Sequence, residues 1–353
     1  MKMTNTSRVL TAGLSRRAFV GASLASAATL VLAGCNSGSG SADASSDSKA
    51  ASGEKTKITF CLDYTPNTNH TGIYVAQNKG FFADEGLEVE IVQPADGTAE
   101  GAIGTGQAQL GVSYQDYVAA AYDAGNTGLT AVAAVIQHNT SGIMSRAEDG
   151  ITHAALMEDH VYTTWDMAVE QATIKQIMTT DGGDFSKLKM VPFTVDDEVQ
   201  GLKANMFDCV WVYEGWAVQN AAVQDYPVNY FSFKDMDDVF DFYTPVLAAN
   251  NDFMKSNPDA VKAFLRAAKK GYEFAVEHPE DAAQILCDEV PELDSALVEA
   301  SAKYLADQYT ADASSWGVID GKRWAAYFQW LNDNDLVENK LDVNAGFDTS
   351  YLA

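Results

Sequence analysis

From Ile58 onward the chain alternates apolar and polar positions with the two periods that separate strands from helices. In "ITFCL" (58–62), Ile58, Phe60 and Leu62 share one face, the period of a strand. "TGIYVAQNKGFF" follows as a short helix, with Gly80 as its C-terminal stop. "LEVEIV" (87–92) alternates again, with Leu87, Val89 and Ile91 inward and Glu88 and Glu90 outward. A small-residue helix from about Thr98 to Gly106, the strand "QLGVS", the helix "QDYVAAAYDAG" and the apolar run "LTAVAAVI" (129–136) complete a βαβαβαβ block. That order builds a mostly parallel sheet with helices on both faces.

A second α/β block begins near Gly142. It holds the strand "HVYTT" (160–164), a helix from about Met167 to Thr179, and the strands "LKMVPF", "FDCVWVY" (207–213) and "VNYFSF" (228–233). The rest is helical. Asn257 and Pro258 open a helix as N-cap and first residue. Val261, Phe264, Leu265, Ala268, Tyr272 and Ala275 give it one apolar stripe, and Val298, Ala302, Leu305 and Tyr309 repeat the pattern later. "GAIGTG" (101–106) lacks the spacing of a dinucleotide loop, so no cofactor is assigned.

The N-terminus changes the picture. Arg16 and Arg17, a short apolar run and small residues before Cys35 describe an export signal of the twin-arginine type. "LAGC" (32–35) resembles the lipobox of bacterial lipoproteins, which makes Cys35 the expected lipidated residue. Residues 36–56 are Ser, Gly, Ala and Asp with almost nothing apolar, the composition of a flexible tether. Net charge is −26, from 49 acidic and 23 basic side chains. Such a surface disfavours nucleic acid and anionic lipid as partners. Cys61, Cys209 and Cys287 are far apart and the histidines scattered, so no disulfide framework or metal site is expected.

"LDYTPNTNHTGIYVAQNKGFFADEGLEVEIVQP" (62–94) resembles the opening of NMT1/THI5-like solute-binding proteins. "GTGQAQLGVSYQDYV" (104–118), "YTTWDMAVEQATIKQIM" (162–178) and "FDCVWVYEGWAVQ" (207–219) resemble further motifs of that family. The resemblance implies an α/β, two-lobed periplasmic-binding-protein type II fold with a ligand cleft between lobes. Crossings are expected near 140–146 and 241–248, with lobe one at 57–141 and 246–353 and lobe two at 142–245. It also implies a non-enzymatic binding protein that delivers a thiamine pyrimidine precursor, an aminopyrimidine, to an ABC permease. Lipid on Cys35 then anchors it to the outer face of the cytoplasmic membrane. Riboflavin or another flat heterocycle is the alternative ligand. An alternative of another class is a pyrimidine synthase-like enzyme, whose eukaryotic members carry a cysteine cluster that this chain lacks. A sensor or adhesin reusing the fold is a third. The motif stretches hold no arginine, which disfavours an anionic ligand.

A flat aminopyrimidine calls for aromatic faces and a carboxylate or amide at its amine edge. In open α/β sheets such groups belong beyond the carboxyl ends of strands. The candidates there are Asp63, Tyr64, Asn67, Asn69 and His70 after the first strand, and Ser113, Tyr114 and Gln115 after another. In the second block they are Tyr162, Trp165 and Glu170 at a strand-to-helix turn, then Tyr213, Glu214 and Trp216. Each has a structural reading beside the functional one. Asn67 and Asn69 suit a turn beside Pro66, Asp63 suits a loop cap, His70 a helix start, and Trp211 the core. Glu214, directly after an apolar strand and between aromatics, is the acid most in need of a partner.

Overall fold

The computed structural model describes residues 55–94, 98–193 and 197–352. The expected signal, Cys35 and the tether up to 54 lie outside the described residues. Ten strands are present among those described: β1 (Thr56–Cys61), β2 (Leu87–Val92), β3 (Leu110–Ser113), β4 (Leu129–Ala134), β5 (Ser141–Arg146), β6 (Val161–Thr164), β7 (Lys189–Pro192), β8 (Cys209–Tyr213), β9 (Val228–Ser232) and β10 (Val246–Asn250). They form two five-stranded sheets, ordered β2-β1-β3-β10-β4 and β7-β6-β8-β5-β9. β1 begins at Thr56 and so claims the last residue of the expected tether.

The two sheets share one plan. β1 pairs in parallel with β2 and β3, and β6 with β7 and β8. An antiparallel strand then enters each sheet, β10 between β3 and β4, and β5 between β8 and β9. Four strands of each sheet therefore run the same way, as expected, and the inserted strand alone runs against them and makes the sheet mixed. The two inserted strands, "SGIMSR" and "VLAAN", are short and buried throughout, so neither shows the alternation that reveals a strand.

The chain leaves the first sheet at Ala134 and enters the second at Ser141, so the first passage spans 135–140, just before the expected 140–146. It returns through 241–245 into β10. The passages are tied together. The Val135 amide donates to Pro245 O at 3.0 Å, while Asn139 donates from its amide to Asp241 Oδ1 (2.9 Å) and from Nδ2 to Phe240 O (2.7 Å).

The first sheet is covered by the helix Pro258–Glu277, whose apolar stripe is buried as its spacing predicts. Phe264 stacks on Phe60 at 5.4 Å and on Phe82 at 4.9 Å. Burying such a side chain stabilises by roughly 1.5–3 kcal/mol. Asn257 holds the N-cap position, but its side chain bonds Ser256 Oγ instead of the helix. The helix Gly321–Asp333 touches both lobes. Its Trp324 carbonyl accepts from Gln115 Nε2, and its Trp330 indole donates to Gln176 Oε1 at 2.6 Å. Among the described residues no helix is long and apolar enough to cross a membrane.

Candidate functional site

The carboxyl ends of β1 and β3 carry Asp63 and Tyr114, and those of β6 and β8 carry Trp165 and Tyr213. Tyr213 comes within electrostatic reach of Asp63, Asp116 and Tyr117 of the other lobe, and its hydroxyl lies 3.5 Å from Thr244 Oγ1. Burial, then Asp116, pushes its phenol up although the residue is 37 % exposed. The strand ends of the two sheets thus meet, as expected for a ligand cleft.

On the first-lobe side, His70 Nε2 donates to Asp63 Oδ1 at 2.6 Å, and the Tyr114 hydroxyl donates to Asp63 Oδ2. The Asn67 amide donates to His70 Nδ1 at 3.1 Å, which fixes the imidazole proton on Nε2. Burial raises the Asp63 carboxyl, but His70 and Tyr114 outweigh it and hold it below the ordinary range. Asn67 is occupied as a turn-former: Oδ1 accepts the Asn69 amide and Nδ2 donates to Thr65 O. Asn69 contributes its carbonyl to Tyr272. Tyr64 is exposed beside them.

The next strand end divides the same way. Ser113 is buried and donates to Glu100 at 2.6 Å. Gln115 is also buried, its oxygen accepting the Tyr243 amide and its nitrogen reaching Trp324 O. Gln115 fastens the first lobe to the return passage and the helix Gly321–Asp333, while Ser113 bonds within the first lobe. Neither faces the cleft with a free group.

In the second lobe Glu170 is spent on its own turn. Tyr162 donates to Oε1 at 2.6 Å and Thr164 to Oε2 at 2.8 Å, and the Trp165 amide bonds both oxygens. The Met167 amide completes a capping box for the helix Ala168–Thr180. Tyr162 is fully buried. Together they present Trp165, 46 % exposed, whose ring lies 5.6 Å from Trp211. Trp211 packs edge-on to Phe233 at 4.3 Å and is otherwise core, as its alternation implied.

Glu214 already has a partner: the Tyr304 hydroxyl donates to its Oε2 at 2.7 Å. Trp216 is half-buried in the turn that follows. Five buried side-chain polar atoms have no hydrogen-bond partner among the described residues, and Asp116 Oδ1, Ser141 Oγ and Trp211 Nε1 are three of them. Ser141 pairs across the ladder with Tyr213, and Ile143 with Trp211, so Ser141, Tyr213 and Trp211 share one face of the second sheet. Asp116 and Ser141 are not among the residues expected from the sequence. The signal for both was position alone, one just beyond Tyr114 and the other at the start of an unrecognised strand.

A formylaminopyrimidine-binding protein of Halalkalibacterium halodurans is 26% identical over 332 residues, 91% of this chain and 95% of that one. A 4-amino-5-hydroxymethyl-2-methylpyrimidine phosphate synthase of Saccharomyces cerevisiae is 24% identical over 252 residues, 68% of this chain and 73% of that one. Among solved structures, the alkanesulfonate-binding protein SsuA of Xanthomonas axonopodis pv. citri bound to MOPS superposes with a TM-score of 0.65 at 10% identity, covering 84% of this chain and 99% of that chain. The periplasmic aliphatic sulphonate-binding protein of Escherichia coli does so with a TM-score of 0.65 at 15% identity, covering 82% and 96%. These likenesses show the two-lobed periplasmic-binding-protein fold. The profile described as NMT1/THI5 like matches residues 67–282, more than half of the chain, and the chain belongs to that family.

Proposed function

We propose that this protein is an extracytoplasmic solute-binding lipoprotein, anchored through Cys35, that closes its cleft on a thiamine pyrimidine precursor and delivers it to an ABC permease. The observation that carries the reading is the pairing of aromatic faces with acids across the cleft. Trp165 and Tyr213 supply stacking surface, and Asp63, Asp116 and Glu214 supply acceptors for an amine. None of these cleft groups is a lysine or arginine, so a sulfonate or other anion finds no counter-charge among them. The name of the Halalkalibacterium relative, similar over nearly the whole chain, points to a formylaminopyrimidine. The tied passages at 135–140 and 241–245 supply a hinge for closure.

The synthase relatives favour a second reading. Against it, Cys61 and Cys209 are buried in different sheets and Cys287 lies on the helix Pro279–Glu289, so these cysteines do not form the cluster such enzymes carry. A thermal-shift screen with formylaminopyrimidine, hydroxymethylpyrimidine, thiamine, riboflavin and taurine tests the proposal, because a ligand of the folded state raises the melting temperature. A shift with the pyrimidines alone is expected. A response to riboflavin alone would reassign the ligand, and iron-dependent formation of a pyrimidine product would overturn the binding role. Palmitate labelling that disappears in Cys35→Ser tests the anchor.

A further inference from the structure

Asp116 lies in the first turn of the helix Gln115–Asp123, two residues past Tyr114. Its Oδ1 is buried and has no hydrogen-bond partner among the described residues. It lines a cavity of about 340 Å³ together with apolar residues that include Ala119, Leu331 and Val169 of the second lobe. Asp123 and Glu338 are the other ionisable groups there, and no residue lining the cavity carries a positive charge. Burial drives the Asp116 carboxyl from 3.8 up to about 7; the amides of Tyr117 and of Asp116 itself oppose this only in part, and Glu100 adds to it. The neighbouring phenols of Tyr114, Tyr117, Tyr213 and Tyr327 are themselves pushed up, so they stay neutral and offer Asp116 no counter-charge.

A carboxyl in such a place is poised to carry a proton, and a protonated carboxyl presents a donor and an acceptor side by side. A 4-aminopyrimidine presents the complementary pair, with a ring nitrogen that accepts next to an exocyclic amine that donates. We propose that Asp116 reads this edge of the ligand through two parallel hydrogen bonds, its carboxyl and the ring sharing one proton. The inference rests on the pyrimidine reading above. It assigns Asp116 the choice of a 4-amino ring over one with hydrogen at that position, which keeps only one of the two bonds.

The test is calorimetry with formylaminopyrimidine on the wild-type protein, Asp116→Asn and Asp116→Leu, in buffers of different ionisation enthalpy. Above about pH 7 free Asp116 loses its proton and must regain it on binding, so wild-type affinity should fall by up to about tenfold per pH unit, with proton uptake. An asparagine amide offers the same donor and acceptor without titrating. Asp116→Asn is therefore expected to bind more tightly than wild type at about pH 9, by tenfold or more. Asp116→Leu should lose about 30-fold at pH 6, from two missing hydrogen bonds. Wild-type binding that is flat with pH, or an Asp116→Asn protein weaker than wild type at high pH, overturns the shared proton while leaving the pyrimidine reading intact. Failure of the wild-type protein to bind any pyrimidine removes both.

Discussion

Tyr304, on the helix Ser295–Ala306 of the first lobe, donates its hydroxyl to Glu214 Oε2 at the end of β8 in the second. Beside it Ser301 Oγ donates to Gly215 O and lies 2.6 Å from Thr68 Oγ1. Burial and then Glu214 push the Tyr304 phenol up, so the bond keeps its direction across the working pH range. Glu214 therefore spans the lobes with one oxygen, and under the proposed function its other oxygen receives the ligand.

The two roles separate by comparing variants. Tyr304→Phe removes only the bridge and should weaken pyrimidine binding by no more than about tenfold, the net worth of one hydrogen bond to a charged group. Glu214→Ala removes the bridge and the ligand acceptor, and should cost about 100-fold. Equal losses in calorimetry would leave Glu214 as a lobe tie alone.

Asp63 makes acid stability measurable. Its unfolded carboxyl titrates near 3.9, and its folded one lies lower because His70 and Tyr114 hold the charged form. The stabilisation is therefore complete above about pH 4 and is lost as pH falls through the folded value. Asp63→Asn should cost about 1–3 kcal/mol in denaturant unfolding at neutral pH. The gap should narrow below about pH 4. A gap that stays constant into strong acid would show that the charge contributes nothing.

How far the sequence could be read depends on which residues make the contact. Elements set by local period were legible, since the stripe from Val261 to Ala275 and the alternation in Ile58 and Phe60 are buried as written. The loops beyond the strands were legible as places, because the strand ends of both sheets do converge. Side-chain roles within them were not. Glu170 and Gln115 lie at the expected turns, yet one is consumed by the amides around Trp165 and the other by Tyr243, some 128 positions away. The partners of Glu170 lie within eight residues of it, whereas that of Gln115 depends on the passage leading into β10, a strand whose residues show no period.

Trp165 offers the cleanest separation of binding from stability. Its ring is nearly half exposed, and the turn that presents it is held through the backbone amide and Glu170 rather than through the indole. Trp165→Ala should therefore leave the apo melting temperature within about 2 °C. It should lower pyrimidine affinity about tenfold or more, as the loss of a stacking face implies. A ligand-free melting temperature that drops as far as affinity does would place Trp165 in the fold instead of the site.

The helix that begins at His70 is held by a close approach of two glycines. A Cβ at Gly271 would lie 1.9 Å from Gly72 O, and one at Gly72 would lie 2.3 Å from Tyr272 Cγ. Tyr272 cannot retreat readily. Its hydroxyl donates to Asn69 O at 2.8 Å, and its ring stacks on Trp316 at 4.6 Å. A methyl group here must push the helices Thr71–Asn78 and Pro258–Glu277 apart, and the movement passes to His70 and Asp63 at the cleft. Gly271→Ala should cost about 3 kcal/mol or more. Gly80→Ala is the control: Gly80 has φ 76 and open space around it, so only the left-handed backbone is penalised, at about 1–2 kcal/mol. Chemical denaturation of both variants gives the comparison. Equal losses would mean that the helices accommodate the methyl group, and that their spacing does not fix the position of His70.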